Sequence, residues 1–130
     1  MTEVAHRMLL ISDFTVDGLA GCLNNGEDSP PIHAVSAPFN QVQQVLSADD
    51  GACWDAARDG VLVWVRPEAV LPSFGAVLRH MPVSTEKVLD EVDAYSSLLL
   101  KAGERSRWVL VPSWVMPTYH RGLGILDMKA

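Results

Sequence analysis

"LLISDFTVDGLAG", residues 9–21, decides how the rest of the chain is read. With Met8 it opens as an unbroken apolar run, passes through Ser-Asp-Phe-Thr, and continues in small and aliphatic residues. A short run that is apolar throughout, rather than alternating, predicts a strand buried on both faces, as in a parallel sheet covered by helices. Three further runs of this kind follow, at residues 32–37, 61–65 and 108–111.

The intervening segments have helical character. Asn40 followed by Gln43 has the form of a capping box, in which the two side chains satisfy each other's backbone amides, and it predicts a helix over 41–46. Val42, Val45 and Leu46 fall on one side of that helix. The clearest helix is predicted over 85–102, where Val88, Val92, Tyr95 and Leu99 recur at helical spacing, Ser84 is the N-cap and Gly103 the stop. Its charges, Glu86, Asp90, Glu91 and Asp93 with Lys101 near the end, suit the helix dipole and read as a solvated face, not a metal site. Residues 24–31, "NNGEDSPP", read as a turn-rich connector; 47–59 read as part helix, part loop, with Trp54 inward. Alternating strands and helices imply right-handed crossovers and a parallel sheet. The expectation is one domain over 1–130: an α/β, flavodoxin-like three-layer sandwich with strand order 2-1-3-4.

The totals narrow the partners. A chain of 130 residues with 48% hydrophobic content has enough apolar mass for one core. A formal charge of −6, without a basic stripe, argues against nucleic acid and anionic membranes as partners. No apolar run approaches the roughly 20 residues needed to span a bilayer, so the expected place is the cytoplasm. Cys22 and Cys53 form no Cys-x-x-Cys pair and read as reduced, mostly buried thiols; neither a metal nor a cofactor is expected.

In open parallel sheets, ligands gather beyond the carboxyl ends of the strands, where the winding reverses. That rule selects Ser12-Asp13-Phe14-Thr15, Pro38-Phe39-Asn40, Arg66-Pro67-Glu68 and Pro112-Ser113-Trp114, with His120 and Arg121 placed to fold back over them. Candidate ligand- or partner-binding residues are therefore Asp13, Thr15, Asn40, Arg66, Glu68, Trp114, His120 and Arg121. Each has a structural alternative. Asp13 and Thr15 read first as helix caps, and Arg66 as paired with Glu68 at the surface. Ser12 and Ser113, with His120, are the candidate nucleophiles and base, although no base lies near Ser12 in sequence and no Asp-x-x-His occurs. The stretch "PSWVMPTYHRGLG", residues 112–124, combines two prolines, two aromatics, a His-Arg pair and two glycines, a composition richer than a simple tether needs.

"LLISDFTVDGL", "SAPFNQVQQVL", "VWVRPEAV" with "VLDEVDAYSSLL", and "VLVPSWVMPTYHRGLGILD" occur in that order along nearly the whole chain. Together they resemble the N-terminal domain of the FkbH-like proteins of polyketide biosynthesis, a degenerate SGNH-hydrolase domain that precedes a haloacid-dehalogenase-type domain. The resemblance implies a setting in which a glyceryl unit is loaded onto an acyl carrier protein. It places that chemistry in an Asp-x-Asp-x-Thr segment and a cysteine of the second domain, and no Asp-x-Asp occurs here. Against the Gly-Asp-Ser of SGNH esterases, this chain has Ser12-Asp13-Phe14, and a phenyl ring cannot be activated for attack on an acyl carbon.

The first expectation is therefore a non-catalytic recognition or scaffolding domain whose partner is an acyl carrier protein or another biosynthetic protein. A basic patch around Arg107, His120 and Arg121 would meet an acidic carrier. A small esterase using Ser12 or Ser113 with His120 is the alternative, and a flavin module is a third reading from topology alone. The sheet also reads as truncated at its C-terminal side, which leaves the fourth strand with an open edge and predicts a homodimer, or a partner strand, over 108–111.

Overall fold

The computed structural model describes residues 5–27, 30–48, 51–55 and 59–115. Four strands, β1 (His6–Ser12), β2 (Ile32–Ser36), β3 (Gly60–Trp64) and β4 (Trp108–Leu110), form one parallel sheet in the order β2-β1-β3-β4. This is the flavodoxin-like α/β arrangement expected from the four apolar runs.

Side chains alternate across a strand, so the continuous runs feed two cores at once. Leu9, Ile11, Val61, Val63 and Val65 face one side, where α2 (Val42–Ser47) and α6 (Thr85–Arg105) cover them with Val45, Leu46, Tyr95 and Ala102. Met8, Leu10, Ala34 and Leu62 face the other, under Val16 and Ala20 at the start of α1 (Asp17–Asn25). Gly60 is required by close approach: the Trp108 indole lies over it, and a Cβ there would overlap the ring.

Several local expectations need correction. Cys22 is exposed on α1 and Cys53 is only half-buried, so the two thiols are not the mostly buried pair expected. Asn40 is not the cap of α2; its φ is 54°, a left-handed conformation that asparagine tolerates better than most residues, and it turns the chain before Gln41 becomes the N-cap. No side chain caps α2, and Gln43 instead donates from Nε2 to the carbonyl of Val70 at 3.4 Å. Ser84 does cap α6, accepting from the amide of Lys87 at 3.3 Å, but Gly103 does not end the helix. A single glycine costs a helix about 1 kcal/mol, too little to stop one held by packing along its length. The helix ends at Ser106, whose hydroxyl donates back to the carbonyl of Ala102 at 2.9 Å.

Three short helices complete the fold, one within the segment 47–59 that read as part helix, part loop, and two between β3 and α6 where no element was read. α3 (Ala52–Asp55) carries Trp54, which is half-buried as expected, donates to the carbonyl of Val45 at 2.9 Å, and receives the Arg105 guanidinium over its ring. α4 (Pro67–Val70) and α5 (Pro72–Leu78) both begin with proline, a residue suited to a first turn because its missing amide has no partner there. Glu91 is consequently not part of a solvated face. Its carboxylate accepts from the amide of Ser73 at 3.2 and 3.0 Å and from the Ser73 hydroxyl at 2.9 Å, satisfying the start of α5. Lys101 donates from Nζ to the carbonyl of Ser47 at the end of α2. No helix among the described residues is long and apolar enough to cross a membrane.

Candidate functional site

The winding reverses at β1, which has β2 on one side and β3 on the other, so the segments after β1 and β3 flank the place where a ligand would enter. That place is closed by the chain itself. Asp13, 2% exposed at its side chain, accepts from the backbone amide of Arg66 at 2.9 Å through Oδ1 and from the Arg66 Nε at 2.7 Å through Oδ2. The Arg66 side chain is 56% exposed, so the pair joins a buried carboxylate to a largely exposed partner. A buried carboxylate is tolerated only when its oxygens are bonded, and both of these are.

This geometry corrects two expectations. Asp13 does not cap α1, because its carboxylate turns across to the β3 side; Val16 is the N-cap, and neither Asp13 nor the exposed Thr15 supplies a capping bond. Arg66 pairs with Asp13 rather than with Glu68, whose Oε2 is buried and without a hydrogen-bond partner among the described residues.

The turn residues around the pair are also engaged. Ser12 is buried, and its Oγ accepts from the amide of Phe14 at 3.1 Å. Phe14 sets its ring edge-on to Trp64, with centroids 5.3 Å apart and planes at 80°. A cavity of about 190 Å³ remains on the β2 side of the turn, bordered by Ser12, Phe14, Thr15, Ser36 and Phe39. The Ser36 Oγ is buried there without a partner among the described residues, and Phe39 is 65% exposed at the rim.

On the other flank, Tyr95 of α6 is 4% exposed, its hydroxyl has no partner among the described residues, and its phenol is pushed up to about 12, first by burial and then by the negative charge of Asp13. Its ring stacks on Trp114, centroids 5.7 Å apart, so the segment after β4 lies against α6. A cavity of about 310 Å³ lies between them, with Ser113 at its border.

Nucleophilic catalysis needs a hydroxyl within hydrogen-bond reach of a base. Among the described residues no histidine borders either strand-end cavity. His6 starts β1, at the opposite end of that strand from Ser12. His120 and Arg121 lie outside the described residues, so the structure brings together Ser12, Asp13, Arg66 and Tyr95, but says nothing of those two. Arg107, the third member of the expected basic patch, lies just before β4, at the amino ends of the strands, where its amide bonds the carbonyl of Asp59. The contact between Asp13 and Arg66 spans 53 positions and had no local signal. Tyr95 showed only as one member of an apolar stripe, which cannot reveal an orphaned hydroxyl.

What the arrangement does is hold the turns after β1 and β3 together, with Phe14 packed on the exposed Trp64 and Phe39 exposed at the rim of the neighbouring cavity. No family model, curated protein or solved structure matches the chain.

Proposed function

We propose that this chain is a non-catalytic recognition or scaffolding domain, working in the cytoplasm beside an FkbH-like enzyme of the haloacid-dehalogenase superfamily that loads a glyceryl unit onto an acyl carrier protein in polyketide biosynthesis. The observation that carries the non-catalytic part is the use of the strand-end polar groups. Asp13 spends both oxygens on Arg66, Ser12 accepts from the backbone, and an aromatic ring stands third in the turn. A serine hydrolase of this shape needs the opposite, a free hydroxyl with a base beside it. The aromatic rim fits recognition, because large exposed apolar side chains in one place mark interaction surfaces. The setting of carrier loading rests on the four collinear segments, and the cytoplasm agrees with the two unpaired cysteines.

The test is a titration of isotope-labelled protein with a phosphopantetheine-bearing acyl carrier protein, followed by amide and indole resonances. Shifts centred on Phe14, Phe39 and the Trp64 indole, weakened in Phe39→Ser, are expected. Their absence at about 1 mM carrier, where even a contact worth roughly 4 kcal/mol would register, would remove the reading. Ester hydrolysis abolished in Ser12→Ala or Ser113→Ala would move the assignment to a small esterase.

A further inference from the structure

We infer that the open edge of β4 is the seat of a second copy of this chain, paired antiparallel about a two-fold axis near Val109. This inference is independent of the reading of the strand ends.

The two edges of the sheet are built differently. At β2, the Asn24 side chain of α1 lies along the strand as a substitute backbone: Nδ2 donates to the carbonyl of Ala34 at 3.0 Å, and Oδ1 accepts from its amide at 2.6 Å. At β4, hydrogen-bonded to β3 alone, no strand lies on the outer side among the described residues. Exposed edges are normally blunted by charge, proline or a covering element. Here residues 108–111 are Trp-Val-Leu-Val, and the first proline comes after them. Beside them α6 and β4 leave a groove of about 760 Å³ lined by Leu99, Leu100, Val109 and Val111.

A second copy answers both the shape and the charge of this edge. Trp108 and Leu110 are in register with Gly60 and Leu62, so both point to the same face of the sheet. Antiparallel pairing about Val109 sets Trp108 of each copy opposite Leu110 of the other, the reciprocal contact that a two-fold interface requires. The same register carries Arg107 to the Val111 end of the neighbouring strand. Val111 shares a cavity with Val92 and Ser96 of α6, so Arg107 arrives beside the exposed Asp93 of the second copy. Neither Arg107 nor Asp93 makes an ion pair within its own copy among the described residues. Each such contact forms twice. The −6 charge of each copy opposes approach, but over a range that physiological salt shortens to about 8 Å.

Light scattering across a concentration series at 0.15 M salt tests the assembly. A mass twice the 14.2 kDa of one chain is expected, falling to one chain in Leu110→Arg while the circular dichroism spectrum is unchanged. Arg107→Asp or Asp93→Arg alone should weaken association about ten-fold, because each reversal places two like-charge contacts in the interface, and the two together should restore it. A mass of 14.2 kDa at every concentration up to about 200 μM, far above the Kd expected of a specific homodimer, would overturn the inference and leave the edge to residues after Val115 or to a different protein. A dimer indifferent to all three substitutions would overturn it equally, by placing the interface elsewhere.

Discussion

The β2 edge and the β4 edge of this sheet face the same physical problem, unpaired backbone groups beside water, and have different solutions. One is answered from within by the side chain of Asn24. The other carries bulky apolar residues and no internal cover among the described residues. The strand ends follow the β2 pattern, since Asp13 and Arg66 close the place where a ligand would enter. The contrast is between polar groups paired within the chain, Asp13 with Arg66 and Asn24 with Ala34, and an apolar strand edge without a partner among the described residues.

The largest effect is expected from opening what is now closed. Asp13→Ala removes the acceptor for the Arg66 amide and guanidinium together, and should cost about 3 kcal/mol in urea unfolding, with Asp13→Asn costing less because one acceptor oxygen remains. A loss below about 1 kcal/mol would mean that the pair does not hold the two turns together.

Tyr95 gives the next effect, and it is pH-dependent. The folded phenol titrates at about 12 against an ordinary 10.0, so the unfolded chain releases this proton first. Stability is therefore at its full value below pH 10.0 and declines as pH rises toward about 12, by on the order of 2 kcal/mol. Tyr95→Phe should lessen that alkaline decline while leaving neutral stability unchanged or slightly raised, since the hydroxyl has no partner to lose among the described residues. Equal decline in both proteins, measured by thermal melts between pH 9 and pH 12, would place the hydroxyl in contact with water.

The β2 edge supplies the third effect. Asn24→Ala should cost about 1 to 2 kcal/mol by leaving the Ala34 amide and carbonyl without partners, and should increase edge-to-edge association in light scattering. Ser84→Ala is the smallest, about 1 kcal/mol, from one lost cap on α6. Hydrogen exchange at Lys87 should rise with it, and protection unchanged there would show that the cap contributes little.

What could be read from the sequence follows from how local each cause is. The strands were legible because burial on both faces leaves an uninterrupted apolar run, and their order followed from handed crossovers. Ser84 was legible because a cap and its amide lie three residues apart. Glu91 looked like one charge in a solvated run because its partner, Ser73, lies 18 positions away across a packing interface. α4 and α5 were missed although Pro67 and Pro72 each stand at a first turn, because four to seven residues are too few to show a helical period. At the site, the sequence named Asp13 and Arg66 separately. Only the register of β1 with β3, which sets Ser12 beside Trp64, brings the two residues past those strand ends within bonding distance.

The account rests on Ser12 being a structural hydroxyl, and treatment with an alkyl fluorophosphonate followed by intact-mass analysis tests this most directly. An unmodified mass after prolonged exposure of the folded protein is the predicted result. A single adduct mapped to Ser12, formed faster than in the unfolded chain, would contradict it.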